Sequence, residues 1–158
     1  MDLSFKHSVH SKPTTMNSKV LIAAIVGGIF FFLLGWLIFG VLLAGSMEDG
    51  MNESMKLVYR EMDAFVYWAM GLSNFLTALL LALILNRFGV NTFMKGAVAG
   101  LWIGLLVVLA YDFSMYAQTT MFEMNMILMD GVMSAIMTAL VAGVVGFMLG
   151  RGKKTAAA

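Results

Sequence analysis

The chain has 158 residues, 61% of them hydrophobic before its 16 glycines are counted and only 12% charged, with a net charge of +1. Soluble domains hold roughly 45 to 50% apolar and about 25% charged residues, so a water-soluble globule is excluded, and the mean hydropathy of +0.89 points to a single integral membrane domain. The absence of Cys removes disulfides, thiolate metal sites and Cys nucleophiles. The 2 histidines, His7 and His10, precede every apolar run, which argues against an in-membrane haem, zinc site or Ser/His hydrolase. The basic residues are short flanks of spans, so nucleic acid is not a partner.

A polar tail covers 1–18. The first apolar run, Val20 to Gly45, is about 39 Å long as a helix and crosses a ~30 Å hydrocarbon core with tilt. It is too long for the core of a signal peptide, although Ala44, Gly45 and Ser46 imitate a cleavage site. The next runs give spans at about 64–86, 95–117 and 124–150 within one domain, 19–150, followed by a basic tail, 151–158. The fold class is all-α, a four-transmembrane-helix bundle. Pro13 is the only proline, so no span carries a proline break.

Of the 10 basic residues, Lys56 and Arg60 alone fall between the first and second spans. Lys6, Lys12, Lys19, Arg87, Lys95, Arg151, Lys153 and Lys154 lie on the other side, which predicts cytoplasmic termini. The acids gather on the outer half, where Ser46 to Asp63 forms a loop. Its residues Met47, Met51, Met55, Tyr59 and Met62 would share one broad face of a surface helix that Gly50 interrupts. Ser73 to Leu79 in the second span matches Ser134 to Leu140 in the fourth, suggesting two repeated helical hairpins about an axis along the membrane normal.

Gly96, Gly100 and Gly104 recur every fourth residue on the third span, and Ala139, Gly143, Gly146 and Gly150 mark the fourth. Small residues at this spacing let helices approach closely, within the bundle or between copies. Asp112 and Asp130 stand out more, because a carboxylate inside a span is costly unless paired, neutralised or hydrated. On the fourth helix Glu123, Asp130 and Ser134 fall on one face. Asn74 lies at similar depth, and Tyr111, Tyr116 and Gln118 surround Asp112. Two readings stand side by side. In one, Asp112 lies in interfacial water and Asp130 hydrogen-bonds to Asn74 or a hydroxyl as interhelical glue. In the other, Asp112, Asp130, Asn74, Tyr111 and Ser134 form a cation or proton site.

The 16 methionines concentrate in the outer half. Thioethers select Cu(I), and Met126, Met133 and Met137 on adjoining turns are candidate soft ligands. Met129, Met133 and Met137 resemble the Met-x3-Met motif of three-span copper importers, whose span count and Met-rich outer domain this chain lacks. The other reading is that Met fills helix interfaces.

Tyr111 to Thr120, Asp130, and Ser134 to Gly143 together resemble a family of small bacterial four-span membrane proteins of unknown function. In that family a Tyr-Asp-hydrophobic-Ser/Thr stretch ends the third span and an Asp precedes a small-residue fourth. The resemblance implies that Tyr111, Asp112, Ser114 and Asp130 are the family positions, and it implies no reaction. The expected protein is a non-enzymatic membrane component without a cofactor. Its partners are the lipid bilayer and a second copy or another membrane protein. The alternative is a small-cation carrier.

Overall fold

The computed structural model describes residues 17–45, 51–60 and 62–151. The polar tail with His7 and His10, the loop residues Met47 and Gly50, and the basic tail beyond Arg151 lie outside the described residues. Among the described residues four helices are long and apolar enough to cross a membrane: Ser18–Leu42, Tyr67–Arg87, Phe93–Gln118 and Met124–Gly150, called spans one to four below. Lipid offers no partner for backbone polar groups, so each apolar run closes its own hydrogen bonds as a helix.

Local chemistry sets the ends. The Asn17 side chain accepts the Val20 N–H at 3.0 Å and caps span one, and Thr92 caps span three by accepting from Lys95 N–H. Span two stops at a reversal built on Gly89, whose φ of +67° suits a residue without a Cβ. Val90 N–H reaches Leu85 O at 2.9 Å and Gly89 N–H reaches Asn86 O, closing the last turn. Span one ends differently from the uniform helix expected to Gly45. Its α-helix runs Ser18–Leu37 and continues as a wider turn over Ile38–Leu42, with Leu43 N–H bonded to Ile38 O at 2.8 Å.

Spans one and two pack as one hairpin and spans three and four as another. The two hairpins do not meet symmetrically. Span four packs on all three other spans, whereas spans two and three barely touch. Half of span four is therefore buried, against 17% of span three. The likeness between Ser73–Leu79 and Ser134–Leu140 is thus not matched by equal surroundings. Val20, Ala24, Leu81, Leu85, Val141 and Val145 form the shared core. It lies in the half that carries Lys19, Arg87, Lys95 and Arg151, where Lys19 Nζ donates to Arg151 O at 3.3 Å. This is the basic end. At the opposite, acidic end Trp36, Tyr67, Trp68, Tyr111 and Tyr116 stand exposed, placed as an aromatic belt is at a membrane surface.

Among the described residues between spans one and two, one α-helix carries part of the predicted methionine face. It covers Glu53–Val58 and begins where the Asn52 side chain accepts the Met55 N–H. Met55 points inward and is buried, while Leu57 and Val58 are exposed. Tyr59 is already extended, with φ −73° and ψ 138°, so it leaves the helical face on which the sequence pattern places it.

Candidate functional site

Spans three and four meet along two rows of residues four apart. Gly96 lies against Gly146, a Cβ on Gly100 would meet that of Ala142, and one on Gly104 would sit 2.6 Å from Thr138 Cβ and Oγ1. Each step of four along one helix is matched by a step of four, in the opposite direction, along the other. Such rows form ridges winding around a helix, and packing ridge on ridge brings small-residue membrane helices into close contact. Carried toward the acidic end, the rows pass Val108 and Ser134 and arrive at Asp112 and Asp130. The packing register of the glycines thus sets one carboxyl group against the other.

The register therefore puts the two carboxyl groups at matching steps of the facing rows, beyond the approach of Gly104 to Ser134. Asp112 is 1% exposed, and no donor faces its Oδ2. This corrects the expectation that Asp112 lies in interfacial water: the row turns it toward span four. Asp130 is half-buried and accepts from Ser134 Oγ at 3.3 Å, one turn along the same helix. The bond to Ser134 stays within span four, so it is not the interhelical tie expected for Asp130, and neither carboxyl hydrogen-bonds to Asn74. Neither has an ion-pair partner among the described residues. Neighbouring carboxylates repel each other when both are charged, so such an arrangement favours a shared proton or a bound cation.

Tyr59 of the outer segment senses the charge of this pair, and the sequence pattern, which placed it only on the methionine face of the loop, gave no reason to connect it with the carboxyls. It is half-exposed. Burial, then the charge of Asp130, then Tyr111 and Asp112, push its phenol above the usual range. Its position depends on how the outer segments are tied together. Asn52 Nδ2 donates to Thr120 O at 2.9 Å and to Met121 O at 3.2 Å, and the Ser54 and Thr120 hydroxyls lie 3.2 Å apart. One asparagine both starts the surface helix and fastens it to the turn between spans three and four. Because the folded protein holds the Tyr59 proton to higher pH than the unfolded chain, this group stabilises the fold below the ordinary phenol range. That contribution is lost as pH rises through the folded value. In an ultraviolet titration, one of the 4 tyrosines should ionise late and Tyr59→Phe should abolish the late step; an unchanged late step in that variant contradicts the placement.

The remaining candidates are distributed around the bundle. Asn74 falls on the same face of span two as Ala78, Leu81 and Leu85, which are buried, at the acidic end of that face. Tyr111 is exposed beside Asp112, and Ser114 accepts from Gln118 Nε2 through both its carbonyl and its hydroxyl. Glu123 precedes span four as its extended cap residue, with φ −104° and ψ 151°. It therefore does not share a helical face with Asp130. Met126 and Met133 are half-buried, and Met137 is buried with its methyl group beside Gly35 of span one. Gly143 packs on the Phe93 ring and beside Gly96, Gly146 lies against Gly96, and Gly150 faces the Asn91 carbonyl, so these three glycines do seat span four on span three and its lead-in, while the row opposite Gly100 and Gly104 continues through Ala142, Thr138 and Ser134 to Asp130. Among the described residues no group of three or more His, Cys, Asp or Glu side chains is placed to hold a metal.

Comparisons with protein-family models, with curated proteins and with solved structures find no match. The likeness noted above therefore rests on the residues between Tyr111 and Gly143 themselves.

Proposed function

We propose that this is a non-enzymatic, multi-pass protein of the bacterial inner membrane, with both termini in the cytoplasm, acting as an accessory or structural component through its acidic outer face. The observation that carries this reading is the fastening of the outer segments. Asn52 holds the Glu53–Val58 helix onto Thr120 and Met121 at the acidic end of the bundle. An ordered outer surface set on a tightly packed hairpin suits presentation to a partner. The orientation rests on Lys19, Arg87, Lys95 and Arg151 sharing one end.

A second reading, a carrier of protons or small cations, is favoured by one observation: the buried Asp112 Oδ2 faces no donor. The methionine version of that reading has less support, since Met137 is engaged with span one. Proteoliposomes separate the two. The accessory reading expects proton and cation flux no faster than in protein-free vesicles under an imposed gradient. Flux that is abolished by Asp130→Asn makes the protein a carrier. Orientation is tested separately: a cysteine introduced at Arg87 should react with an impermeant thiol reagent only from the cytoplasmic side.

A further inference from the structure

We infer that Asp112 and Asp130 form a binding site for one hard divalent cation, entered from the acidic end of the bundle past Tyr59 and completed by the Ser134 hydroxyl. The site goes beyond the structural role proposed above and does not require transport. It stands on geometry first. The register of the two rows aligns two carboxyl groups from different helices, and one of them is 1% exposed with an oxygen that no donor faces. A shared proton serves a single oxygen-to-oxygen contact. A cation between the groups serves oxygens of both at once, and two carboxylates match a double positive charge.

The donor chemistry selects the class of ion. The donors the register supplies are oxygen: two carboxylates and the Ser134 hydroxyl, already 3.3 Å from Asp130. Oxygen donors of this kind suit Ca²⁺, Mg²⁺ and Mn²⁺ rather than Cu(I). Such ions keep some of their own water, so two protein carboxylates are enough to anchor one. Access follows from the difference between the two carboxyl groups, Asp130 being half-buried and Asp112 enclosed.

The ion must compete with protons. Among the described residues, Tyr59 of the outer segment is the titratable group that senses the charge of both carboxyls. Spans one and two carry titratable side chains only at their ends, at Lys19, Tyr67 and Arg87. Neither Asp has an ion-pair partner among the described residues, so protons and the ion compete for the same oxygens.

The test uses the full chain in nanodiscs of uncharged lipid, with Mn²⁺ as the probe and electron paramagnetic resonance as the readout. Near neutral pH the wild type should bind one Mn²⁺ per chain. Ca²⁺ should displace it, Ag⁺ should not, and binding should weaken steadily as pH falls. Asp112→Asn and Asp130→Asn should each weaken binding by about tenfold or more, equivalent to about 1.4 kcal/mol. Ser134→Ala should weaken it less. Asn keeps the shape of Asp and can donate a hydrogen bond to the remaining carboxylate, so these variants keep the fold. If a variant does not fold, the pH dependence and the Ca²⁺ competition of the wild type still decide. No saturable Mn²⁺ binding, binding unchanged in both Asn variants, or displacement by Ag⁺ in place of Ca²⁺ overturns the site. Saturable binding without flux in vesicles leaves both this site and the accessory reading in place, whereas Asp130-dependent flux overturns only the latter.

Discussion

Gly100→Val should separate spans three and four. A Cβ at Gly100 would lie 2.5 Å from the Thr138 carbonyl oxygen and would also overlap the Ala142 methyl group. The first of these is backbone and cannot rotate away. Overpacking typically costs about 1 to 3 kcal/mol when side chains can adjust. Here the helices themselves must move apart, so the expected loss is at the top of that range or above it. The same substitution should loosen the Asp112–Asp130 contact, because the glycine row sets that register. Gly71→Ala is the matched control. Nothing lies within 4 Å of a Cβ at Gly71, and Ala is the better helix former by roughly 0.5 to 1 kcal/mol. In reversible unfolding in bicelles, Gly100→Val should therefore unfold far earlier than wild type and Gly71→Ala should not. Equal behaviour of the two variants contradicts the ridge packing.

The second large effect belongs to the carboxyl pair and is a matter of coupling. Asp130→Leu leaves Asp112 enclosed between helices with no partner, a loss on the order of 3 kcal/mol. Asp112→Leu leaves Asp130 half-exposed and still bonded to Ser134, so it should cost less. Replacing both should restore much of the loss, because a pair of apolar groups needs no partner. A double-mutant cycle should therefore show a coupling of roughly 2 kcal/mol between the two positions. Additive single effects mean that the two carboxyl groups do not meet.

Much of this fold was legible in the sequence, for a simple reason. Lipid forces every apolar run to close its own hydrogen bonds, so run length marks the helices, and span four, read as 124–150, is observed as Met124–Gly150. The end of span one was not legible, because the wider turn over Ile38–Leu42 depends on how the chain leaves the bundle. Nor was the facing of Asp112 and Asp130. Gly96, Gly100 and Gly104 announce their row, but its counterpart runs through Ala142, Thr138 and Ser134, which are only partly small and do not look like a stripe. A signal did exist: extending each row by four-residue steps ends on an aspartate in both helices. For Tyr59 there was none, since its place depends on Asn52 ending one segment and fastening it to another. Asn74 shared the depth of the carboxyl groups, yet depth alone does not say which neighbour a helix face meets.

The central claim is that the small-residue register of spans three and four carries Asp112 onto Asp130. The protein lacks cysteine, so a pair of introduced cysteines reports on that register without background. Asp112→Cys combined with Asp130→Cys should form an intramolecular disulfide on mild oxidation in the native membrane. The pair shifted by one helical turn, Asp112→Cys with Met126→Cys, should remain largely reduced. Efficient bridging of the shifted pair, with none between positions 112 and 130, would contradict the account.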